Sequence, residues 1–370
     1  MITIVVGAQY GGEGKGKVAA FLALKDRPQI VCRCGGPNSS HTVIHNGATI
    51  RLRSMPTAAV INPKITVVFG AGTLIHVPTL MEEIQLLNYR GRLLIDRKAG
   101  IITDEIVALQ REDSRYESIG STLTGTGLAT AYRSQRKLPL ASEFSELSKY
   151  MFDTFSYLNS EIKKKSNILV EGHQGYGLSN YHGDYPYTSS RDSTASEMLS
   201  ELGLGPLVPG LRIVLVAKVF PTRNHAGTVG EELSEKTADA LGIAEFGGGS
   251  RGIPNRRRRV GMIDFDFVGR AAAANSATEV VLTGIDYLDR EMHNKVEFED
   301  FSEKVKLFIL ATAKATHCPV TYISTGAETM AMIELPARDR KTVKKLSRAR
   351  DSKTVKEILP LLDWKDDKHA

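Results

Sequence analysis

The chain has 370 residues, of which 42% are hydrophobic and 24% are charged, and its formal net charge is +6. This composition excludes a disordered chain and is sufficient for a large buried core. The excess of positive charge suits anionic small molecules as well as nucleic acid, and it does not choose between them.

Cysteine usage and apolar runs bear on the compartment. Cys32, Cys34 and Cys318 form no disulfide framework, which favours a reducing, cytoplasmic compartment. The spacing of Cys32 and Cys34 is too short for a usual zinc pair. The apolar run at the N-terminus is too short for a signal peptide, and no stretch approaches 18 apolar residues, so we expect no membrane partner.

In chain order, short apolar runs alternate with helix-like stretches. The predicted strands are Ile2 to Val6, Thr66 to Phe69, Ile168 to Val170, Ile213 to Val219, Val280 to Thr283 and Val320 to Ile323. The predicted helices are Pro78 to Leu87 and Ser302 to Lys314. Because the strands are nearly all apolar, each is expected to be buried on both faces. The sequence therefore predicts an α/β fold with a central, mostly parallel sheet flanked by helices, in one domain over residues 1–370. Two charge runs, 161–165 and 341–350, are predicted to be solvated helix faces.

The first strand leads directly into a glycine-rich segment, GAQYGGEGKGK, at residues 7–17. Glycines let consecutive backbone N–H groups turn toward one anion, and a following helix adds its positive end. Gly11, Gly16 and Lys17 match the spacing of a phosphate-binding loop, but Val18 stands where that loop normally has Ser or Thr to hold Mg²⁺. A glycine-rich turn without a ligand is the alternative, and the two lysines of the segment favour phosphate.

This segment resembles the opening of adenylosuccinate synthetases, G-[AT]-Q-[WY]-G-D-E-G-K-G-K, with ten of eleven positions matching and Gly12 in place of Asp. Further motifs of the family follow in the same order. They are GGPNSSHT (35–42), IGST (119–122) with GTG (125–127), EGHQG (171–175), HGDYPY (182–187), RRRR (256–259) with Gly261 and Asp264, and TGIDYLD (283–289). On these motifs the chain is identified as a shorter member of that family.

The resemblance implies a two-step ligation. A nucleoside triphosphate phosphorylates O6 of a 6-oxopurine monophosphate, and the amine of L-aspartate then displaces that phosphate. Phosphoryl transfer concentrates negative charge and needs cations and N–H donors in place. By this resemblance the catalytic residues are Lys15, Lys17, His41 and Gln174, and the phosphate loop consists of Gly11, Gly12, Glu13, Gly14 and Gly16. A merely packed histidine is the alternative for His41.

The same resemblance surrounds the monophosphate with amide and hydroxyl groups. Asn38, Thr122 and Gln174 are expected around the nucleotide, with Ser189 at its 5′-phosphate. Without the resemblance, caps of loop backbone would be the preferred interpretation of these residues. Arg136 lies near a family Arg that reaches this phosphate from the second subunit of a homodimer, and a solvated surface charge is its alternative.

Four consecutive arginines, Arg256 to Arg259, are typical either of a nucleic-acid patch or of a carboxylate site. No aromatic residue for base stacking is interleaved, so we expect no nucleic-acid partner. In the family the first and third of these, here Arg256 and Arg258, contact aspartate and nucleotide, and guanidinium groups bind carboxylates bidentately. The loop before them, 247–255, lacks the family's Thr pair, which predicts altered contacts with aspartate.

Gly12 is the departure that bears on the nucleotide substrate. The family Asp accepts the N1 proton of hypoxanthine and ligates Mg²⁺, so the expected metal ligands are the backbone carbonyl of Ser40, phosphate oxygens and water. Because C2 of the base lies beside N1, Gly12 makes room for the 2-amino group of guanine. A branch of the family encoded by bacteriophages that place 2-aminoadenine in their DNA resembles this arrangement and uses dGMP. The resemblance predicts dGMP as substrate, in the host cytoplasm, with IMP or a non-catalytic nucleotide-binding regulator as alternatives.

Gly284 is the departure that bears on the phosphate donor. The family's T-K-L-D motif reads the guanine of GTP, with Lys packing on the base and Asp pairing with its N1–H and 2-amino group. Asp286 is kept but the Lys is replaced by Gly284. ATP or dATP therefore becomes the expected donor, while Asp286 keeps GTP open.

Overall fold

A computed structural model gives the structure of residues 1–224, 226–247, 256–297 and 301–336, with backbone alone at residues 246, 247 and 256. Its strands are β1 (Ile2–Gly7), β2 (Ile30–Arg33), β3 (His41–His45), β4 (Ala48–Leu52), β5 (Thr66–Phe69), β6 (Leu74–Ile75), β7 (Leu93–Asp96), β8 (Gly100–Ile101), β9 (Met151–Phe152), β10 (Ile168–Glu171), β11 (Leu211–Lys218), β12 (Thr222–Arg223), β13 (Phe246–Gly247), β14 (Arg256–Arg257), β15 (Arg259–Val260), β16 (Glu279–Thr283), β17 (Val320–Ser324) and β18 (Met332–Glu334).

Ten of these strands form one sheet in the order β18-β17-β16-β11-β1-β10-β2-β5-β7-β9. Every neighbouring pair is parallel except β17 and β18, which are antiparallel. The residues of β1, β2, β10, β16 and β17 are all buried. Full burial is what strands covered by helices on both faces require. The prediction of a mostly parallel α/β sheet is therefore confirmed.

All six predicted strands lie in this sheet, as β1, β5, β10, β11, β16 and β17. The sequence did not predict β2, β7, β9 and β18, which have two to four residues each. Arg33 ends β2 and Asp96 ends β7, so the apolar run in each is very short. These segments become strands because a neighbouring strand supplies their hydrogen bonds, which a local pattern does not reveal.

The helices are α1 (Lys15–Asp26), α2 (Ala58–Ile61), α3 (Val77–Leu86), α4 (Asp104–Glu112), α5 (Ser114–Ser118), α6 (Thr126–Ser134), α7 (Thr154–Lys163), α8 (Ala195–Glu201), α9 (Glu235–Ala240), α10 (Phe265–Asn275), α11 (Ile285–Leu288) and α12 (Glu303–Thr316), with 3-10 turns at Ala141–Glu143, Ser145–Tyr150, Tyr176–Leu178 and Arg290–Met292. Both predicted helices are present, as α3 and α12. Ser302 caps α12 by accepting a hydrogen bond from the backbone N–H of Val305 at 3.4 Å.

The structure also bears on the cysteines, on membrane-spanning helices and on one of the two charge runs. Each cysteine is buried and outside any disulfide. None of the helices in the described ranges is long and apolar enough to cross a bilayer. The charge run at 161–165 lies at the exposed end of α7, whereas the run at 341–350 lies outside the described residues. The single-domain interpretation stays a prediction.

The parallel order of the central strands brings their following loops to one edge of the sheet. The carboxyl ends of β1, β10, β11 and β16 are neighbours there. The glycine-rich segment follows β1, and the EGHQG segment begins with the last residue of β10. Such an edge is where open α/β sheets bind ligands.

Candidate active site

The loop between β1 and α1 has an unusual backbone. Gly11, Gly12 and Gly14 have φ angles of +84°, +75° and +90°, which favour glycine because residues with a side chain rarely adopt them. Glu13 turns back into the loop, where its Oε1 accepts hydrogen bonds from the backbone N–H groups of Gln9 at 3.1 Å and Gly11 at 2.9 Å. Glu13 thus braces the loop from inside, and its predicted contact with nucleotide stays a prediction.

The two lysines of the loop point to different places. Lys15 lines the larger cavity of this edge, and its Nζ donates to Oε2 of Glu13 at 2.7 Å. Nζ of Lys17 instead donates to Oγ of Ser324 at 2.6 Å and to two backbone carbonyls of the turn between β17 and β18 at 2.6 and 2.9 Å. Burial lowers the pKa of Lys17 to about 7 although nearby carboxylates oppose the shift. Lys17 therefore ties α1 to the far strands, and its predicted contact with phosphate stays a prediction.

His41, the first residue of β3, pairs with Glu171, the last residue of β10. Nδ1 of His41 lies 2.5 Å from Oε1 of Glu171, and both side chains are buried. Oε2 of Glu171 accepts from the backbone N–H and the hydroxyl of Thr57 at 2.8 and 2.7 Å. The anchored carboxylate therefore orients the imidazole and leaves Nε2, 3.4 Å from Oγ of Ser39, for a ligand.

The charge state of this pair follows from its burial. Burial lowers the pKa of His41 to about 4, the charge of Arg33 adds to the lowering, and the Glu171 carboxylate only partly offsets both. Burial by itself raises the pKa of Glu171, but His41, Arg33 and Thr57 outweigh it and hold the pKa below its usual range. At neutral pH the imidazole is therefore neutral, and Nε2 becomes a donor only when an anionic ligand favours its protonation.

A cavity of about 340 Å³ lies at this edge of the sheet. The predicted residues that line it are Gly11, Gly12, Gly14, Lys15, Gly16, Asn38, Ser40, His41, Thr122, Gln174 and Arg258. Lys15, Arg51 and Arg258 give it three cations, and Glu245 is the one carboxylate among the described residues that line it. The first turn of α1 has no side-chain cap at Gly14. This cavity therefore offers cations and free N–H groups to an anion.

A second cavity of about 210 Å³ shares Asn38, Thr122 and Gln174 with the first. Ser189 lines it, as does the beginning of α6 at Thr126, where Gly125 supplies no side-chain cap. The three shared residues are those that the sequence placed around the monophosphate. The two cavities together suit a ligand with an anionic group at each end.

Arg258 lies directly against Gly12. A Cβ atom on residue 12 would be 2.4 Å from Nη1 of Arg258 and 2.9 Å from Oγ1 of Thr222. The same Nη1 donates to Oε2 of Glu245 at 3.1 Å, and Nζ of Lys218 bonds the other carboxylate oxygen. The guanidinium group of Arg258 therefore occupies the position that a side chain on residue 12 would take, which the sequence did not indicate.

The side chains of Arg257, Arg258 and Arg259, three of the four consecutive arginines, point to different sides. Arg257 donates to Oδ1 of Asp239 at 2.8 Å, and Arg259 pairs with Glu232, both on the outer face. Arg258 points into the cavity between them, as alternation along an extended segment requires. The side chain of Arg256 and the loop at 248–255 lie outside what the structure describes, so the predicted contact of Arg256 with aspartate stays a prediction.

Three further predicted residues lie at different places. Ser40 lines the first cavity. Arg136 lines neither cavity; it is exposed, and its Nη1 donates to the carbonyl of Ser134 at 2.9 Å. Asp286 is buried at the start of α11, with Oδ2 3.3 Å from Nδ1 of His293, and also lines neither cavity.

The described residues contain no group of three or more His, Cys, Asp or Glu side chains that could hold a metal ion. The predicted role of the Ser40 carbonyl as a Mg²⁺ ligand stays a prediction.

Sequence reasoning missed two acidic side chains. The sequence contains a signal for Glu171, because this residue opens the EGHQG motif at the end of a buried parallel strand. Glu245 has no such signal, because it lies in a loop and reaches the cavity only through its pairing with Lys218 and Arg258.

The family model described as adenylosuccinate synthetase matches residues 4–139 and 139–296. The adenylosuccinate synthetase of Methanocaldococcus jannaschii is 38% identical over 338 residues, which are 90% of this chain and 96% of that protein. The fully ligated adenylosuccinate synthetase of Plasmodium falciparum has a TM-score of 0.80 at 23% identity, covering 90% of this chain and 99% of its own. The succinoaminodeoxyadenylate synthetase of cyanophage S-2L, bound to dGMP and dATP as an energy donor, has a TM-score of 0.76 at 23% identity, covering 94% and 99%. At this identity the two structures show a shared fold.

Proposed function

Because the chain belongs to the adenylosuccinate synthetase family, we propose that it joins L-aspartate to C6 of dGMP through a 6-phosphoryl intermediate, giving N6-succino-2-amino-2′-deoxyadenylate. Membership of the family makes it a carbon–nitrogen ligase that consumes a nucleoside triphosphate. One observation carries the choice of dGMP. The carboxylate of the family pattern is missing at Gly12, while Lys15, His41 and Gln174 are kept around the same cavity.

In the first step O6 of the base attacks the γ-phosphorus of the donor. Lys15 and the free N–H groups at the start of α1 stabilise the negative charge that gathers on the transferred group. The same charge favours protonation of Nε2 of His41, which then donates to a phosphoryl oxygen while Glu171 holds Nδ1. Lys15, the start of α1 and His41 line the same cavity, so all three act on one phosphoryl group.

The monophosphate extends from the first cavity into the second. Asn38, Thr122 and Gln174 contact it at the junction, and Ser189 with the start of α6 receives the 5′-phosphate. In the second step the amine of aspartate attacks C6 and the phosphate leaves. Arg258 in the first cavity, together with Arg256, is the proposed partner of the aspartate carboxylates.

Mg²⁺ is the metal that this chemistry implies, and it would neutralise phosphate charge when bound. The protein's own contribution would be the backbone carbonyl of Ser40, which lies in the first cavity. No other protein ligand is proposed.

The proposed donor is ATP or dATP. Gly284 has φ +75°, and a Cβ atom there would meet Cδ2 of Tyr287 at 3.1 Å, so this position is narrow. The Lys expected from the family pattern is absent, and with it the packing group for guanine, while Asp286 keeps GTP open as the alternative donor. Steady-state rates with ATP, dATP and GTP side by side test this, and strict dependence on GTP would contradict it.

A homodimer is proposed as the assembly. Arg136 is exposed and lines neither cavity of its own chain, as expected of a residue that serves the partner's 5′-phosphate site.

Ordinary adenylosuccinate synthesis from IMP and GTP is the second candidate, because the Methanocaldococcus relative at 38% identity is an adenylosuccinate synthetase. Release of inorganic phosphate with aspartate, ATP or GTP, and either dGMP or IMP distinguishes the two. We expect kcat/KM to be higher for dGMP than for IMP. A preference for IMP would overturn the first proposal, and no turnover with either nucleotide would contradict both.

A further inference from the structure

The chain has Gly12 where the family pattern has Asp, so the carboxylate that would accept the N1 proton is missing from the phosphate loop. As O6 acquires the phosphoryl group, the ring nitrogen N1 must lose its proton, so some group has to accept it. Among the described residues that line the first cavity, one acidic side chain is present, Glu245. It shares the cavity wall with Gly12, Thr222 and Arg258.

The carboxylate of Glu245 is held in place from two sides. Nζ of Lys218 bonds Oε1, and Nη1 of Arg258 donates to Oε2 at 3.1 Å. Lys218 ends β11, and its backbone N–H donates to the side chain of Gln9 at 2.8 Å, so this cation is fixed to the central sheet. Burial raises the pKa of Glu245, but the charges of Lys218 and Arg258 outweigh it and hold the pKa below its usual range. Glu245 is therefore an ionised, positioned acceptor at neutral pH.

Position 12 and Glu245 are neighbours through one guanidinium group. The same Nη1 of Arg258 that donates to Glu245 would be 2.4 Å from a Cβ atom on residue 12. An aspartate at position 12 and the present arrangement of Arg258 are therefore incompatible. With glycine there, the guanidinium lies against the loop and the Glu245 carboxylate borders the region that an aspartate side chain would otherwise enter.

We propose that Glu245 accepts the N1–H and 2-amino hydrogen bonds of the guanine base and takes the N1 proton during phosphoryl transfer. This inference rests on the proposed function. A carboxylate has about four acceptor positions, so pairing with Lys218 and Arg258 leaves lone pairs for the base. Guanine presents two adjacent donors to such a group, whereas hypoxanthine presents N1–H alone. A site built to bond a substrate N–H discriminates against the analogue that lacks it.

O6 forms a bond to the γ-phosphorus, and the bond from that phosphorus to the β–γ bridging oxygen breaks, releasing the nucleoside diphosphate. The N1–H bond breaks and its electron pair forms the C6–N1 double bond, while the π pair of the C6–O6 double bond moves to O6 and leaves a C6–O6 single bond, and the proton moves to Glu245. Because the phosphorylated ring is far more acidic at N1 than the free base, a carboxylate with a low pKa is a sufficient acceptor.

The test is a set of variants of the full chain assayed with dGMP and with IMP, each with aspartate and ATP. Glu245→Gln keeps the shape but removes the charge. We expect its kcat/KM for dGMP to fall about 10- to 100-fold and the value for IMP to fall less. Gly12→Asp in the Glu245→Gln background should restore kcat with IMP, because a carboxylate near N1 returns. Glu232→Gln is the matched control, since Glu232 pairs with Arg259 on the outer face of the same segment, and it should leave both activities unchanged.

Four outcomes overturn the inference, and a fifth overturns the part of it that concerns recognition of the guanine base. Glu245→Gln within about twofold of wild type for both nucleotides would exclude a role in the step. Recovery of its activity at raised Mg²⁺ would identify Glu245 as a metal ligand instead. Equal losses with both nucleotides and no rescue by Gly12→Asp would indicate a structural role, as would loss of cooperative thermal unfolding in both Glu245→Gln and Glu245→Asp. If wild type uses IMP alone, the dGMP proposal and base recognition by Glu245 fail, while rescue of the Glu245→Gln loss with IMP still supports proton acceptance.

Discussion

At the residue scale, Gly12 is fixed by two independent constraints. Its φ of +75° favours glycine, and a Cβ atom would approach Arg258 to 2.4 Å and Thr222 to 2.9 Å. The sequence suggested that Gly12 makes room for a substrate group. The structure adds that the guanidinium group of Arg258 occupies the position of a side chain on residue 12, so a change at residue 12 acts on Arg258 and on Glu245 behind it.

Gly12→Asp should lower the ratio of kcat/KM for dGMP over IMP by about 10- to 100-fold, because the carboxylate crowds the 2-amino group and draws Arg258 away from Glu245. Activity with IMP should fall less or rise, since N1 gains an acceptor. Gly47→Asp is a control for backbone strain alone, since Gly47 has the same φ of +75° with nothing within 4 Å of its Cβ position. An unchanged ratio in Gly12→Asp would contradict the assignment.

His41 should contribute to turnover more than to binding, because Nε2 becomes a donor only as phosphoryl charge develops. We expect His41→Asn to reduce kcat by ~10²–10³ with a smaller change in nucleotide affinity. Glu171→Gln should give a partial loss, because the imidazole would remain but lose its orienting charge. His45→Asn, on the same strand but in neither cavity, should retain full kcat. Unaltered kcat in His41→Asn would show that His41 is only packed.

At the element scale, the site depends on two helices that begin without side-chain caps and on the long-range hydrogen bonds of Lys17. α1 and α6 both begin after a left-handed glycine, Gly14 and Gly125, and both first turns face a cavity. Lys17, in the first turn of α1, donates to Ser324 and to the following turn. The phosphate loop, which follows β1, is thereby connected to β17, although β11 and β16 lie between β1 and β17 in the sheet. The geometry of the loop therefore depends on strands that lie far away in the sequence.

Lys17→Ala should lower kcat by ~10²–10³ if Lys17 also serves the transferred phosphate, and it should lower Tm as well, because two buried acceptors and one partly buried acceptor lose this donor. Measuring both quantities separates the two roles. Lys25→Ala is the matched control, since exposed Lys25 on the same helix pairs with Glu334 of β18. It should change neither quantity appreciably. A lowered Tm with normal kcat in Lys17→Ala would show that Lys17 only connects α1 to Ser324 and the following turn.

At the scale of the whole molecule, the buried pair of His41 and Glu171 links folding to pH. The pKa of His41 is 6.5 in a free chain and about 4 in the fold. Between these values the unfolded chain binds a proton that the folded chain does not, so the free energy of unfolding falls as the pH is lowered. Glu171, whose pKa is also lowered in the fold, adds a loss in the same direction at still lower pH.

We expect urea unfolding at pH 7 and pH 5 to show this loss, with His41 accounting for at most about 1.4 kcal/mol per pH unit. In His41→Asn the dependence over this interval should be shallower, because the substituted side chain does not titrate. Wild-type stability that stays constant or rises between pH 7 and pH 5 would show that His41 is protonated in the fold.

The sequence by itself determined the fold class, the family and most of the lining of the site. Fully apolar runs such as β1 and β10 specify a buried parallel sheet, and glycines with lysines after β1 specify an anion site, because both signals are local. The family resemblance predicted that one nucleotide contacts Asn38, Thr122 and Gln174. The same three residues are the ones that the two cavities share.

Only the tertiary structure decided which charges meet. Lys17 turns toward Ser324, Glu13 folds into its own loop, and Glu245 reaches Arg258 beside Gly12. Each contact pairs a side chain with whatever strand order and loop closure bring near it, at separations as large as 307 residues for Lys17 and Ser324. A local pattern carries no information about such pairings, because the order of strands in the sheet, rather than their order in the chain, sets them.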